Sequence, residues 1–301
     1  MGGDGAPAAT VAGAALAAQR WGIDVVLVGR GDDLASHLAE LDGQQLTVVE
    51  APDVIGMDED PVAGVRSKKG ASVRVACQMV ADGSAGAVVS AGATGATLTA
   101  ALLTMGRLEN VRRPVVAAVL PVADGGRAVL ADAGGSMDVH PEALVGYAAM
   151  AGAYARVLGT PQPRVGLLNV GEEPGKGNAL AKGAFDLLSH VQGFQGNVEP
   201  PAVFAGAVDV VVTDGFTGNV FLKTIEALWA AGAARDAEER DTAAVLLGIN
   251  GEVLVAHGAA GAEDIAQALR RAAQIAEAGL AQQVGLRLSE QAGQTEQKEG
   301  A

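Results

Sequence analysis

Between Leu168 and Leu180 the chain reads L-N-V-G-E-E-P-G-K-G-N-A-L. Two carboxylates (Glu172, Glu173), one ammonium group (Lys176) and two amides (Asn169, Asn178) stand among glycines, directly after the apolar run Val165 to Leu168. A plain connection needs only a Gly or a Pro. Both signs of charge at the carboxyl end of a buried strand suit a loop that holds a small ligand, because that is where ligands bind in open α/β sheets. Three other strand ends have a similar character: Ser90 to Ala96 (S-A-G-A-T-G-A), Asp132 to Asp138 (D-A-G-G-S-M-D) and Asp214 to Asn219 (D-G-F-T-G-N). Glycines there let backbone N–H groups approach a ligand closely, and the following helix contributes partial positive charge. This is anion-site chemistry built without arginine.

Other chemistries lack their signatures. No G-x-G-x-x-G and no G-x-x-x-x-G-K-[ST] occurs, so dinucleotide and Walker-type sites lose their main support. No G-x-S-x-G occurs, which leaves a serine hydrolase without a foothold. His37, His140 and His190 have no metal-ligand spacing with Cys or carboxylates, so neither a metal nor a cofactor is expected. His257, in V-A-H-G-A-A, closes an apolar run, where its titration range suits either a proton donor or a loop brace. Arg66, Lys68 and Lys69 cluster just after Asp60-Pro61, as a phosphate contact or a solvated helix face.

The balance of charge explains why local devices are needed. The 301 residues carry a formal net charge of −14, which argues against nucleic acid as a partner and provides no global attraction for an anionic substrate. Aromatic residues make up 3%, so the core is packed from Ala, Val, Leu and Ile. Cys77 is the single cysteine, which excludes an intrachain disulfide and fits a reducing cytosol; a buried small apolar residue is its expected role. No basic and apolar leader opens the chain, so export is not expected. Residues 83–106 carry no charge and are long enough to span a bilayer, yet Gly, Thr and Ser dilute them. They divide more naturally into a strand, a turn and a helix.

The elements that position these loops are legible as continuous apolar runs: Asp24 to Gly29, Gly86 to Ala91, Val115 to Val122, Ala128 to Ala131, Val165 to Val170, Val208 to Thr213 and Glu252 to Ala256. Unbroken Val/Leu runs belong to strands covered on both faces. Helical segments lie between most of them. Asp60-Pro61 and His140-Pro141-Glu142 are helix starts. Ile265, Leu269, Ala272, Ala276 and Leu280 form one stripe of a helix over residues 262–283. The alternation predicts an α/β chain with a mostly parallel sheet, as one domain over residues 1–288, followed by a polar, disordered tail over 289–301.

Read in order, M-G-G-D-G-A-P (from Met1), M-D-E-D-P-V (from Met57), R-S-K-K (from Arg66), S-A-G-A-T-G-A, N-V-G-E-E-P-G-K-G-N, G-N-V-E (from Gly196), D-G-F-T-G-N-V and L-G-I-N-G (from Leu247) resemble the bacterial phosphate acyltransferases. The resemblance runs from residue 1 to about residue 270. It implies a Rossmann-like three-layer α/β/α sandwich related to phosphotransacetylases, usually a homodimer. The implied activity is transfer of a long-chain acyl group from acyl carrier protein to inorganic phosphate, giving acyl phosphate for phospholipid synthesis. The implied setting is cytoplasmic, with peripheral contact at the inner face of the membrane or with a downstream glycerol-phosphate acyltransferase. Carried onto this chain, the catalytic candidates are Lys176, Asn178, His257 and Asp214. The substrate and phosphate contacts are Asp4, Lys68, Lys69, Ser90, Gly92, Thr94, Gly95, Asn169, Glu172, Glu173, Gly215, Gly218 and Asn219. Lys68, Lys69, Arg112 and Arg113 are candidates for landing the acidic carrier protein.

The chain departs from the family pattern at several places. Family members begin with a strand ahead of the G-G-D loop, where Met1 here abuts it. Ala93 and Ser136 stand where the family has Asn, Pro200-Pro201 where Gly-Arg is common, and Ala259-Ala260 where it has a Ser pair. The segment before Leu246 is short where relatives carry long amphipathic helices associated with dimerisation and membrane docking. Two alternatives follow: a phosphotransacetylase-like enzyme using acyl-coenzyme A, and a catalytically impaired paralogue that binds acyl carrier protein. A nicotinamide-dependent oxidoreductase has only the fold in its favour.

Overall fold

The computed structural model describes residues 1–41, 46–229, 231 and 243–299, with side chains described as far as 290. They form two compact units, Met1–Gly106 with Asp241–Gly279, and Arg107–Arg240 with Leu280–Ala301.

The first unit runs α1 (Ala8–Trp21), β1 (Val26–Gly29), α2 (Gly31–Leu38), β2 (Thr47–Glu50), α3 (Pro61–Ser67), α4 (Ser72–Ala81), β3 (Ala87–Ser90) and α5 (Thr94–Thr104). The second contributes β4 (Val115–Pro121), β5 (Arg127–Ala131), α6 (Pro141–Val157), β6 (Val165–Leu168), α7 (Ala179–Leu188), β7 (Phe194–Val198), α8 (Pro200–Phe204), β8 (Val210–Val212) and α9 (Gly215–Leu228). The chain then returns to the first unit for β9 (Ala243–Leu247), β10 (Glu252–Ala256) and α10 (Ala262–Ala278), and ends in the second with α11 (Leu280–Glu299).

In the first unit β1 pairs in parallel with β2, and β3 in parallel with β10, which takes β9 antiparallel on its other side. In the second, the order is β4-β5-β8-β6-β7. β4 and β5 are antiparallel, while β5, β8, β6 and β7 are all parallel. The expectation of a mostly parallel α/β arrangement holds. The three strands not foreseen are β2, β7 and β9.

The uncharged stretch 83–106 is β3, a turn and α5, as expected. Among the described residues no helix is long and apolar enough to cross a membrane. Asp60 caps α3, its Oδ1 accepting from the Ala63 N–H at 2.7 Å. His140 stands at the N-cap of α6, with Pro141 in the first turn. The helix expected over 262–283 stops at Gly279, which turns left-handed (φ 62°) and closes α10; Leu280 then opens α11. The backbone of the polar tail continues α11 to Glu299. The shortened segment before Leu246 lies largely outside the described residues.

The aromatic-poor core is built as the composition requires. β8 is three valines, all buried, and β4 is buried from Val115 to Leu120. Both tyrosines of the chain, Tyr147 and Tyr154, are fully buried on α6. Cys77, on α4, is fully buried, and burial pushes its thiol up to about 12 against a hydrogen bond to Thr104 that works the other way. At pH 8 the thiolate fraction is on the order of 10⁻⁴, and the thiolate is the reacting species. A chromogenic disulfide reagent should therefore leave the native protein unlabelled over an hour and modify one thiol per chain within seconds in denaturant.

Candidate active site

In the second unit, the parallel strands β5, β8 and β6 are neighbours, so the loops that follow them share one edge. Asp132 follows β5 directly and is fully buried. Its Oδ1 accepts the N–H groups of Val116 (3.1 Å), Gly134 (3.1 Å) and Gly135 (2.8 Å), while Oδ2 is buried without a hydrogen-bond partner. Burial pushes this carboxyl upward from its ordinary value, opposed by those backbone N–H groups.

The amino end of α9 packs directly on this loop. Gly215 N–H donates to the Ser136 carbonyl at 2.9 Å. A Cβ at Gly218 would collide with the Asp132 carbonyl oxygen, so only glycine fits. Asn219 Nδ2 donates to the Ala133 carbonyl at 3.0 Å. Asp214 caps the helix, Oδ1 accepting from Thr217 N–H and Oδ2 from the Thr217 hydroxyl. The residues expected to contact phosphate here thus have evident packing and capping partners. Asp214 already supplies an anion to the dipole.

The loop after β6 is arranged differently. Asn169 is buried; its Oδ1 accepts from Val170 N–H (2.8 Å) and its Nδ2 donates to the Lys176 carbonyl (3.2 Å), tying the loop's two ends together. Gly177 runs at φ 93° directly over the Asn169 side chain, where any Cβ would collide with it. Asn197 of β7 holds the middle, donating from Nδ2 to the Glu173 carbonyl at 2.8 Å. Glu172, Glu173 and Lys176 project outward, and Lys176 Nζ stands 3.9 Å from Glu173 Oε2 with 52% of its side chain exposed. Asn178 caps α7, its Oδ1 accepting from Ala181 N–H at 2.9 Å. Its cap is neutral, unlike that of α9.

In the first unit a second set of expected residues comes together. Ser90 Oγ accepts from Gly92 N–H (3.2 Å) and lies 3.0 Å from the Thr97 hydroxyl. Ala93 is the N-cap of α5 and provides no side-chain hydrogen bond to it, leaving Thr94 and Gly95 exposed in the first turn. Gly2 crosses Gly92, where a Cβ would lie 2.8 Å from its Cα, and Asp4 N–H donates to the Gly258 carbonyl at 2.8 Å. His257 is exposed beside it and accepts the Ala259 N–H on Nδ1 (3.2 Å), which puts the neutral ring's proton on Nε2.

Lys68 is engaged elsewhere. Its Nζ holds Glu59 Oε2 at 2.7 Å and the Val54 carbonyl at 2.8 Å, and that hydrogen bond lowers the Glu59 pKa. Lys69 is exposed just beyond α3.

Sequence reasoning placed Asp132 and Asn197 in noteworthy stretches without assigning either a role. Asp132 answers to Val116, on the strand before its own, and Asn197 to a carbonyl of a different loop. For Asp132 the one available signal was a polar residue closing an apolar run; Asn197, inside a polar strand, gave none of that kind.

A family model described as fatty acid synthesis protein matches residues 1–236. The phosphate acyltransferase of Thermus thermophilus is 45% identical, over 96% of this chain and 97% of that protein. Those of Desulforamulus reducens and Thermobifida fusca are 41% and 42% identical, covering 93% and 89% of this chain and 93% and 84% of their own lengths. Among solved structures, a phosphotransacetylase from Streptococcus pyogenes superposes with a TM-score of 0.66 at 18% identity, covering 90% of this chain and 92% of that one. A branched-chain phosphotransacylase from Enterococcus faecalis gives 0.57, also at 18%, over 84% and 99%. These structural likenesses speak to the fold.

Two outcomes are expected from the geometry around Asp132. Gly218→Ala should destabilise the protein by at least about 2 kcal/mol, since an overpacked backbone contact cannot relax by a rotamer change; urea unfolding reads this directly. Asp132, with a folded-state pKa above its ordinary 3.8, keeps its proton where the unfolded chain has lost it. Its contribution to stability must therefore fall as pH rises from about 4 through the raised value, and then level off. Asp132→Asn removes that slope. Unfolding free energies of the two proteins, measured from pH 4 to 8, should diverge in the variant's favour with rising pH; parallel curves would contradict the assignment.

Proposed function

The chain belongs to the fatty acid synthesis protein family and is a phosphate acyltransferase, and we propose that it moves a long-chain acyl group from acyl carrier protein to inorganic phosphate. A phosphate oxygen attacks the thioester carbonyl carbon, the C–S bond breaks, and acyl phosphate and the carrier's thiol are released. Phosphate is anionic near neutral pH, so it needs positioning and removal of water more than a general base. The thiol leaves readily, its ordinary pKa being about 8.5 as for cysteine. The main demand is to hold an anion beside a carbonyl that gains negative charge.

The observation that carries this reading is Lys176, an exposed cation on a loop clamped by Asn169 and Asn197 at the amino end of α7. Lys176 Nζ and the Asn178 amide are the phosphate donors, and Glu172 and Glu173 orient the ammonium group. The α7 end is preferred to α9 because its cap is neutral, whereas Asp214 would repel a second anion. Around Ser90, Gly92, Thr94 and Gly95, the α5 terminus without a side-chain cap is a further anion-holding loop of the same enzyme, with Asp4 beside it. In the first unit, His257 accepts the Ala259 N–H on Nδ1 and braces the loop after β10.

Acyl carrier protein is acidic and lands on local positive charge; Arg112 and Arg113, both exposed ahead of β4, form such a patch in the second unit, and Lys69 supports it in the first. The protein works in the cytoplasm as a homodimer, passing acyl phosphate to a glycerol-phosphate acyltransferase at the inner face of the membrane. The family's place in lipid synthesis supports that setting.

Acyl phosphate formation from purified long-chain acyl carrier protein tests the assignment. Lys176→Ala should lower kcat/KM by about 10²-fold, the scale of a lost oxyanion donor, with unfolding unchanged because the side chain is exposed. Asn178→Asp should retain the helix cap yet replace the donor with a carboxylate, giving at least a comparable rate loss at near-native stability. Asn178→Ala should lose the donor and in addition destabilise by about 1 kcal/mol. Full activity in Lys176→Ala and Asn178→Asp would remove both from the site. Equal or better rates with the coenzyme A thioester would shift the donor assignment.

A further inference from the structure

Four large apolar side chains of the second unit stand exposed at the sheet edge that carries Lys176. They are Val170 (81% exposed), Phe216 (62%), Met137 (56%) and Val220 (52%). Val170 follows β6, Met137 lies in the loop after β5, and Phe216 and Val220 are one turn apart at the start of α9, which follows β8. These three strands are neighbours, each about 4.8 Å from the next. The bond from Gly215 N–H to the Ser136 carbonyl (2.9 Å) sets Phe216 beside Met137. Asn169 ties the other end to the cation. Its Oδ1 takes the Val170 N–H at 2.8 Å, and its Nδ2 donates to the Lys176 carbonyl at 3.2 Å.

This row has little hydrogen bonding to give. Between Phe216 and Val220, the Thr217 hydroxyl is bound to Asp214 and the Asn219 amide nitrogen to the Ala133 carbonyl. Within α9 the first charged residue is Lys223, most of a turn beyond Val220. Clustered apolar exposure of this kind marks a binding surface. A peptide laid here would lose hydrogen bonds to water without replacement, whereas a hydrocarbon loses none. An acyl chain under transfer is bonded to the carbonyl that reacts beside Lys176. It must leave that point across a surface that begins there, and Val170 is the apolar side chain fastened to the same amide as Lys176.

We propose that Val170, Phe216, Val220 and Met137 form the seat of the donor's acyl chain, which runs from the thioester carbonyl across the amino end of α9. The proposal rests on the reading that this carbonyl reacts at Lys176. One strand spacing from β6 to β8 and four residues of helix from Phe216 to Val220 make a path of about 11 Å. An extended hydrocarbon advances about 1.3 Å per carbon, so the path takes about eight carbons. One side of the chain rests on protein and the other stays in water. Each CH2 then contributes about half of its full burial, or about 2-fold in affinity. Discrimination by chain length is steepest within those first carbons.

The test compares acyl phosphate formation from acyl carrier protein loaded with four-, six- and eight-carbon chains, so that docking of the carrier cancels in the ratios. For the native enzyme kcat/KM should rise about 2-fold per CH2, about 16-fold from four to eight carbons. Phe216→Ser with Val220→Ser should cut that ratio below about 4-fold, and Val170→Ser should lower it too. Leu286→Ser replaces an exposed apolar side chain outside the row, on α11, and should leave the ratio at its native value. A native ratio in the double variant, or one lowered as far by Leu286→Ser, overturns the seat. So does an equal fall at every chain length with loss of dimer mass in sedimentation, which would give the row to a second copy. If the native enzyme makes no acyl phosphate from any loaded carrier, the reading beneath the seat falls with it.

Discussion

The contact on which the second unit depends is between a glycine and a backbone carbonyl. Gly218 lies so close to the Asp132 carbonyl that no side chain fits, and this lets the amino end of α9 rest directly on the loop after β5. Everything near that point follows from it. Gly215 N–H reaches the Ser136 carbonyl, Asn219 reaches the Ala133 carbonyl, and the Asp132 carboxylate is walled off from water. The fully buried carboxylate collects three N–H groups on a single oxygen, from two different elements. It acts as a fastener between β4 and the loop. Its high desolvation cost is offset by those bonds only in part, which is why its proton is held more tightly than usual.

Charge is handled with equal economy. In a chain of net charge −14, many described cations are committed: Arg20 to Glu263, Arg30 to Asp33, Lys68 to Glu59, Arg164 to Asp209 and Arg287 to Glu290, each within 2.6 to 2.9 Å. Lys176 is different, at 3.9 Å from Glu173. A surface pair at that distance contributes little, so a stronger anion can take the ammonium group at small cost. The neighbouring loop is nevertheless rigid, because Asn169 and Asn197 secure its backbone and leave the charged side chains outside. Rigidity of the frame and availability of the cation come from different residues.

How much of this was legible depends on whether the signal was local. β4 and β8 announced themselves because strands buried on both faces must be apolar throughout. β2 (T-V-V-E) is largely exposed, and β7 (F-Q-G-N-V) lies at the end of its sheet order with polar residues, so neither shows an apolar run. β9 (A-A-V-L-L) follows an acidic, alanine-rich stretch that obscured its start. Gly279 interrupts a stripe that continues smoothly in composition through Leu280, and only its left-handed backbone shows the break. In the site, the polar residues between glycines were visible as unusual, but their partners were not. Lys68 looked like an anion ligand from its cluster, and the structure commits it to Glu59 and a carbonyl across a loop.

The choice of cap separates the helix ends that the sequence presented as equivalent. Asp, Asn and Ser all cap a helix well, so stability alone does not favour one over another. For binding an anion they differ sharply. Asp214 gives α9 a carboxylate that holds both the Thr217 amide and hydroxyl, which saturates the terminus with the chain's own negative charge. Asn178 uses its oxygen for the Ala181 amide, and an amide side chain still carries an –NH₂ donor beyond that bond. Ala93 supplies no side chain to α5 at all. A small anion therefore finds repulsion at α9, a neutral donor beside Lys176 at α7, and no competing side-chain cap at α5. Asparagine, unlike aspartate, can hold the helix and still donate to a ligand, and at Asn178 the same side chain is in a position to do both.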